Sequence, residues 1–258
     1  MSENEGNSET TTTETTKGSS EATTGVEKKC AEEFMVSDQF KIMMEPVFDA
    51  VKRVLTERHK NLERWNENDE RNFSNIFGVS GNTFITGKYS ARDVKGLLEE
   101  KVEARIFMKE GIERLLRICD QISFDTRKCV DGLNLYGNFV NSTHISPGSA
   151  RVNEQQTIGI SPSEYKDKLR IEILQNFKRK KPFGHDSRVS TICHELSHFC
   201  RYYVDSMHCG GLRTYDLPTI DFVPDYNYDL YATNLVKAHD VDVFNNSYNI
   251  ERYFEITA

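Results

Sequence analysis

The stretch STICHELSHFC, Ser190 to Cys200, contains the pattern H-E-x-x-H. On a helix, His194 and His198 lie one turn apart on one face, where two imidazoles can bind the same metal ion. Glu195 lies beside them and can take a proton from a molecule held in an open metal position. The opposite face of the helix is apolar and would pack on a core: Ile192, Leu196 and Phe199. The stretch therefore predicts a helix that is packed on a core and holds one zinc ion.

A catalytic zinc ion usually has three protein ligands, so a third ligand must lie elsewhere in the chain. The metzincin pattern needs a glycine and a histidine where this chain has Arg201 and Val204, which excludes that class. No glutamate occurs between Phe199 and Ile250, and Glu251 and Glu255 lie near the C-terminus. Spacing alone leaves eight other candidates open: His208, Asp205, Asp216, Asp221, Asp225, Asp229, Asp240 and Asp242.

Composition limits the classes of protein that the chain can represent. Its 258 residues are 37% hydrophobic, which is enough for one sizeable core. The net charge of -7 argues against nucleic acid as the main partner. No apolar run approaches the length of a membrane span. We therefore expect a monomer without a membrane span.

The chain divides into a polar tail and one domain. Residues 1–32 are rich in Thr, Ser and Glu and cannot bury enough apolar surface to become ordered. The N-terminus has no basic start followed by an apolar core, so it is not a signal peptide as written. Residues 33–258 would form the domain, with a helical part at 33–118 and a catalytic part at 119–258.

Hydrophobic periodicity predicts long helices and a few short strands, an α+β fold with a zincin-like arrangement of the zinc helix beside a small sheet. A helical stripe runs from Phe40 to Leu55, with Pro46 at a kink or a start, and Asp186 or Ser187 would cap the zinc helix. The region from Cys129 to Pro162 would hold short extended pieces. The other predicted elements are a strand at Gln156 to Ile160 and helices from Ser90 to Leu116, Ser163 to Phe177, Tyr228 to Ala238 and Asp240 to Phe254.

The six cysteines are an even number, which would allow three disulfide bonds in a secreted chain. They are Cys30, Cys119, Cys129, Cys193, Cys200 and Cys209. Cys119 and Cys129 frame a short loop and are the best candidates for a bond. The alternative is a set of free buried thiols.

The C-terminal segment DFVPDYNYDLYATNLVKAHDVDVFNNSYNIERYFE resembles the end of an aspzincin, one of the deuterolysin-like zinc metalloendopeptidases. In that family H-E-x-x-H is followed by G-T-x-D-x-x-Y-G, which falls on Phe222 to Asp229. The resemblance implies that Asp225 is the third zinc ligand and that Tyr228 donates a hydrogen bond to the transition state. Three residues depart from the motif, since Phe222, Val223 and Asp229 replace Gly, Thr and Gly.

The likeness covers the chain from about Phe40 to Glu255. The segment Trp65 to Gly78 resembles the family's Phe-Gly element, and Asn246 to Tyr253 loosely resembles N-A-D-x-Y-x-x-F. Tyr248 stands where that late motif has its Asp, so lysine specificity is not implied. The family is mostly secreted, which favours an extracellular protein.

The resemblance implies a zinc-dependent endopeptidase acting on proteins or peptides. His194, His198 and Asp225 would bind zinc, Glu195 would be the general base, and Tyr228 would stabilise the oxyanion. A rival hypothesis is a zincin-like binding module with weak catalysis or none. A third is a zinc hydrolase that acts on something other than peptides.

Overall fold

The computed structural model describes residues 38–90, 97–124, 127–130, 133–142, 148–152, 169–199, 212, 214–219 and 227–257. The tail at residues 1–32 and the strand at 156–160 lie outside these ranges. The helices are α1 (Asp38–Arg64), α2 (Glu67–Phe77), α3 (Ala104–Cys119), α4 (Arg188–His198), α5 (Tyr228–Ala238) and α6 (Ser247–Tyr253). The strands are β1 (Phe84–Ser90), β2 (Leu97–Glu103), β3 (Arg127–Val130), β4 (Leu133–Tyr136), β5 (Phe139–Asn141), β6 (Ala150–Val152) and β7 (Ile171–Ile173). The predicted α+β class is confirmed.

The first helix follows its hydrophobic stripe. Its buried positions recur every three or four residues, and Pro46 lies inside the helix without ending it. Helix α1 packs against α3 and against α4, which carries H-E-x-x-H. The core therefore lies between the long N-terminal helix and the helix of the predicted metal site.

The predicted helix from Ser90 to Leu116 is wrong in its first half. Residues 97–103 form β2, which pairs antiparallel with β1, and helix α3 begins only at Ala104. The apolar residues of β2 also satisfy a helical pattern, so periodicity did not distinguish the two. Pairing with β1 along its whole length decides in favour of a strand.

The larger sheet has the strand order β3-β4-β5-β7-β6, and only β5 and β7 are parallel among its neighbouring pairs. Its last strand, β6, contacts α4. The predicted helix from Ser163 to Phe177 is wrong where it is described, because Ile171–Ile173 is a strand. Ile171 and Ile173 are both buried while Glu172 pairs with Arg151 on the other face, a period of two.

The C-terminal part of the structure agrees more closely with the sequence prediction. Helix α5 has the predicted bounds, whereas the second predicted helix divides into a 3-10 turn at Val241–Phe244 and helix α6. The division occurs at Asn246, whose side chain is buried and hydrogen-bonded to Asn249. Helix α6 packs along α4, so the end of the chain lies beside the predicted site.

Two of the cysteines lie in the core as free thiols. Cys119 ends α3 and Cys193 lies in α4, and both are fully buried. Burial raises the pKa of the Cys119 thiol to about 12 and that of Cys193 well above its usual value. The predicted bond between Cys119 and Cys129 is therefore wrong, because Cys119 is unbonded. Among the described helices none is long and apolar enough to cross a bilayer.

Candidate metal centre

The helix that carries H-E-x-x-H is short, capped and buried. Ser187 is its N-cap, and its hydroxyl accepts from the backbone N–H of Ser190 at 3.1 Å. The hydroxyl of Ser190 in turn accepts from the backbone N–H of Ser187 at 3.0 Å, and the two hydrogen bonds form a capping box. His194, Glu195 and His198 are 6%, 5% and 7% exposed. A surface helix that happens to carry two histidines is thus excluded.

A short segment, Thr214 to Leu217, crosses the end of α4 and brings Asp216 to the histidines. The N–H of Thr214 donates to the carbonyl of Ser197 at 3.1 Å, and the two side-chain hydroxyls are 2.6 Å apart. On its other side the segment is held by α6, where the N–H of Ser247 donates to Tyr215 at 3.0 Å. The hydroxyl of Ser247 donates to Asp216 itself. The carboxylate is therefore fixed between two helices.

Three side chains converge on one point. The Nε2 atoms of His194 and His198 lie 3.2 and 3.6 Å from Oδ1 of Asp216. All three atoms lie within 4.8 Å of one another. Asp216 is 44% exposed, whereas the two histidines are buried. The cluster is therefore buried on the side of α4 and open on the side of the aspartate.

The outer nitrogens of both histidines are hydrogen-bonded. Nδ1 of His194 lies 3.0 Å from Glu251 on α6, and Nδ1 of His198 lies 3.1 Å from the carbonyl oxygen of Thr214. A carbonyl oxygen only accepts, so His198 carries its proton on Nδ1 when neutral, and its Nε2 lone pair faces the cluster. Glu251 is itself held by the hydroxyl of Ser190 at 3.1 Å.

Burial and neighbouring charges together set the pKa values of the side chains in the cluster. Burial and the charge of His194 lower the pKa of His198 to about 4, so this imidazole is neutral. Burial would also lower the pKa of His194, but its hydrogen bonds to Asp216 and Glu251 raise it well above the usual value. Desolvation would raise the pKa of both carboxyl groups, but the hydrogen bonds from His194 hold them low. Asp216 and Glu251 therefore stay ionised.

Glu195 is the third carboxyl group of the site. Burial raises its pKa to about 7, and the charges of Asp216 and Glu251 act in the same direction. A carboxylate with a pKa near neutrality can both accept and return a proton at physiological pH. Glu195 is thus suited to general acid–base chemistry.

Two aromatic side chains border the cluster. The ring of Tyr248, on α6, is perpendicular to the ring of His194 with 4.9 Å between centroids. The ring of Tyr228, the first residue of α5, stacks on Tyr248 with a centroid distance of 5.4 Å and an interplanar angle of 6°. Tyr248 therefore contacts the ring of His194, and Tyr228 contacts the ring of Tyr248.

Most of the predicted site residues lie in the described part of the structure, and one does not. His194, Glu195 and His198 lie together as the motif predicts, and Tyr228 lies near them. Asp225 lies outside the described residues, and the aspartate found beside the histidines is Asp216. A signal for it was present, because Thr214-x-Asp216 has the T-x-D spacing of the aspzincin motif. Glu251 was considered only as a possible ligand, and its contact with Nδ1 depends on how α6 packs.

Similarity to known proteins is found among solved structures. No protein-family model and no curated protein matches the chain. Among solved structures, the chain is similar to a zinc peptidase from Grifola frondosa, with 14% sequence identity and a TM-score of 0.47. That match covers 85% of this chain and 96% of the other.

Proposed function

We propose that the protein is a zinc-dependent endopeptidase whose metal ligands are His194, His198 and Asp216. The observation that carries the proposal is the convergence of two imidazole nitrogens and a carboxylate oxygen beside the buried carboxyl group of Glu195. Two histidines, one carboxylate and an open side form a donor set typical of catalytic zinc. The choice of a protein or peptide substrate is supported by the resemblance of the motifs to the aspzincins.

The donor atoms fit the size of a zinc ion. Bonds of about 2.0–2.2 Å in a tetrahedral arrangement place ligand atoms about 3.4 Å apart. The measured distances from Asp216 to the two histidines, 3.2 and 3.6 Å, bracket that value. The Nδ1 contacts of both imidazoles also match the outer partners that orient zinc-bound histidines.

The charges fit a divalent cation as well. The negative charges of Asp216 and Glu251 raise the pKa of Glu195, so both carboxylates lie close enough to repel a charge on Glu195. The ionised carboxylates of Asp216 and Glu251 carry two negative charges in a largely buried site, and the proton of His194 offsets only one of them because His198 is neutral. Such a charge is costly unless a cation offsets it.

The groups of the site have separate roles in hydrolysis. A bound zinc ion would supply Lewis acidity to the attacking water and the scissile carbonyl. Glu195 takes a proton from the water as its oxygen adds to the carbonyl carbon, and returns that proton to the amine as the C–N bond breaks. Glu251 and the carbonyl of Thr214 hold the two imidazoles in their binding orientation.

The proposal is tested with the variant Glu195→Gln. Zinc content and hydrolysis of a denatured protein substrate are measured for the wild type and the variant. We expect both to bind one equivalent of zinc and the variant to lose activity by about 100-fold or more. Glu67→Gln, the same change at an exposed position on α2, is the matched control and should behave as the wild type does.

Each remaining outcome counts against the proposal. Full activity in Glu195→Gln would exclude the general-base role, and a wild type without zinc would exclude the metal site. A wild type that binds zinc tightly but cleaves no peptide would favour the rival function, a binding module.

A further inference from the structure

We propose that Tyr248 supplies the hydrogen bond that stabilises the oxyanion during peptide hydrolysis, and that Tyr228 supports its ring. This inference rests on the proposed endopeptidase function. It differs from the sequence-based expectation, which assigned the role to Tyr228. It also assigns a catalytic role to a position where the aspzincin motif has an acidic residue.

Tyr248 makes a ring contact with one of the proposed metal ligands. Its ring lies perpendicular to that of His194 at 4.9 Å, and the ring of Tyr228 stacks on Tyr248. Tyr248 is half-buried, so part of its side chain is exposed. Within the part of the chain that the structure describes, its phenol has no hydrogen-bond partner, and it can bond to a substrate.

The backbone of Tyr248 is fixed by its neighbours on α6. The preceding residue, Ser247, bonds to Tyr215 and to Asp216. Three residues after Tyr248, Glu251 accepts from His194 and Ser190. Tyr248 therefore lies between two contacts to the proposed ligands, on the helix face that it shares with Glu251.

The ring of Tyr248 has two aromatic neighbours. It meets the ring of His194 at an interplanar angle of 90° and stacks on that of Tyr228 at 6°. A donor that is already oriented does not have to be ordered as negative charge develops, which is what makes such a donor effective. Tyr228 therefore acts through the position of Tyr248 and is a positioning residue.

The step is balanced without any further reactant. The water oxygen bonds to the carbonyl carbon, its proton passes to Glu195, and the electron pair of the C=O double bond moves to the carbonyl oxygen. The O–H of Tyr248 donates a hydrogen bond to that oxygen and keeps its proton. When the C–N bond breaks, the electron pair returns to re-form C=O and the amine receives the proton from Glu195.

The test compares three hydroxyl deletions that keep the aromatic ring. Tyr248→Phe should lower kcat by about 100-fold with little change in KM, the effect of removing one oxyanion donor. It should weaken inhibition by a phosphinic peptide, which mimics the tetrahedral state, by a similar factor, and zinc content should stay at the wild-type level. Tyr228→Phe should lose much less. Tyr231→Phe is the control, because that ring packs against the hydrophobic core.

The outcomes separate this inference from the proposed function. If the wild type binds zinc and is active, and Tyr248→Phe has the same kcat, the inference is overturned and the endopeptidase proposal stands. A larger loss in Tyr228→Phe than in Tyr248→Phe would also overturn it. A wild type without zinc or without peptide hydrolysis would overturn both.

Discussion

The two histidines of the site have different outer partners. Nδ1 of His198 faces a neutral carbonyl oxygen, while Nδ1 of His194 faces the ionised carboxylate of Glu251. A carboxylate partner makes an imidazole more basic and therefore a stronger ligand. His194 should consequently contribute more than His198 to metal affinity.

Replacing Glu251 with Gln should weaken zinc binding. The amide can keep the hydrogen bond to His194 but not the negative charge, so we expect a loss of about 10- to 100-fold in zinc affinity. Competition with a chromogenic chelator measures this loss. Glu255→Gln is the matched control, because Glu255 contacts His185 and none of the three proposed ligands. Equal zinc affinity for Glu251→Gln and wild type would contradict the orienting role.

The third ligand can be identified by a pair of substitutions. Asp216→Asn should reduce zinc affinity by more than the 10- to 100-fold typical of outer partners, because it removes a direct ligand. Asp225→Asn should have little effect on zinc binding. Zinc content after gel filtration measures both. Loss of zinc in Asp225→Asn with retention in Asp216→Asn would restore the ligand set implied by the sequence resemblance.

At the scale of elements, capping boxes fix the starts of two helices, α4 and α2. The zinc helix begins with the Ser187–Ser190 capping box, and α2 begins with a second box between Asn66 and Asp69. Asp69 also accepts from Arg64 at 2.8 and 2.5 Å and is 7% exposed. It therefore joins the end of α1 to the start of α2.

Asp69→Asn should destabilise the protein in a pH-dependent way. The hydrogen bond from Arg64 lowers the pKa of Asp69 in the folded state, so its contribution is present above the ordinary aspartate pKa of about 4 and is lost as pH falls through the lower folded value. We expect a loss of about 1 kcal/mol at pH 7 that shrinks below about pH 4. Urea denaturation at several pH values measures it. Asp49→Asn, exposed on α1, is the control, and a pH-independent loss would contradict this mechanism.

At the scale of the whole molecule, the proposed ligands connect distant parts of the chain. His194 and His198 come from α4, and Asp216 comes from the segment that crosses the end of this helix. Glu251 adds α6 through His194. A metal ion at this point would bond to α4 and to the Thr214 to Leu217 segment, and α6 is coupled to it through the hydrogen bond of Glu251 to His194.

Removing zinc should therefore lower the melting temperature. A ligand that binds only the folded state stabilises it by about 2.7 kcal/mol at 100 times its Kd. We expect chelation to lower Tm and zinc to restore it, as measured by differential scanning fluorimetry. Glu195→Gln should show the same shift, because Glu195 is not a ligand. An unchanged Tm, or no recovery with zinc, would argue against a metal that bridges these segments.

Local sequence predicted the secondary structure correctly where a hydrophobic pattern fits only one kind of element. The apolar stripe of α1 and the bounds of α5 are examples. It failed at β2 and β7, where a few apolar residues fit either a helix or a strand. Pairing with β1 decided the first case, and burial of Ile171 and Ile173 in the sheet decided the second.

The sequence by itself determined the H-E-x-x-H helix and which of its side chains lie together, because spacings of one and four residues on a helix are local properties. Tertiary structure decided which aspartate and which tyrosine meet that helix. Asp216 is 18 positions from His198 and is held beside it by the hydrogen bond from Thr214 to Ser197 and by the one that Ser247 donates to Asp216. Tyr248 reaches His194 because α6 packs on α4. Contacts of this kind depend on packing between distant segments; the T-x-D spacing makes Asp216 a candidate, but only packing places it beside the histidines.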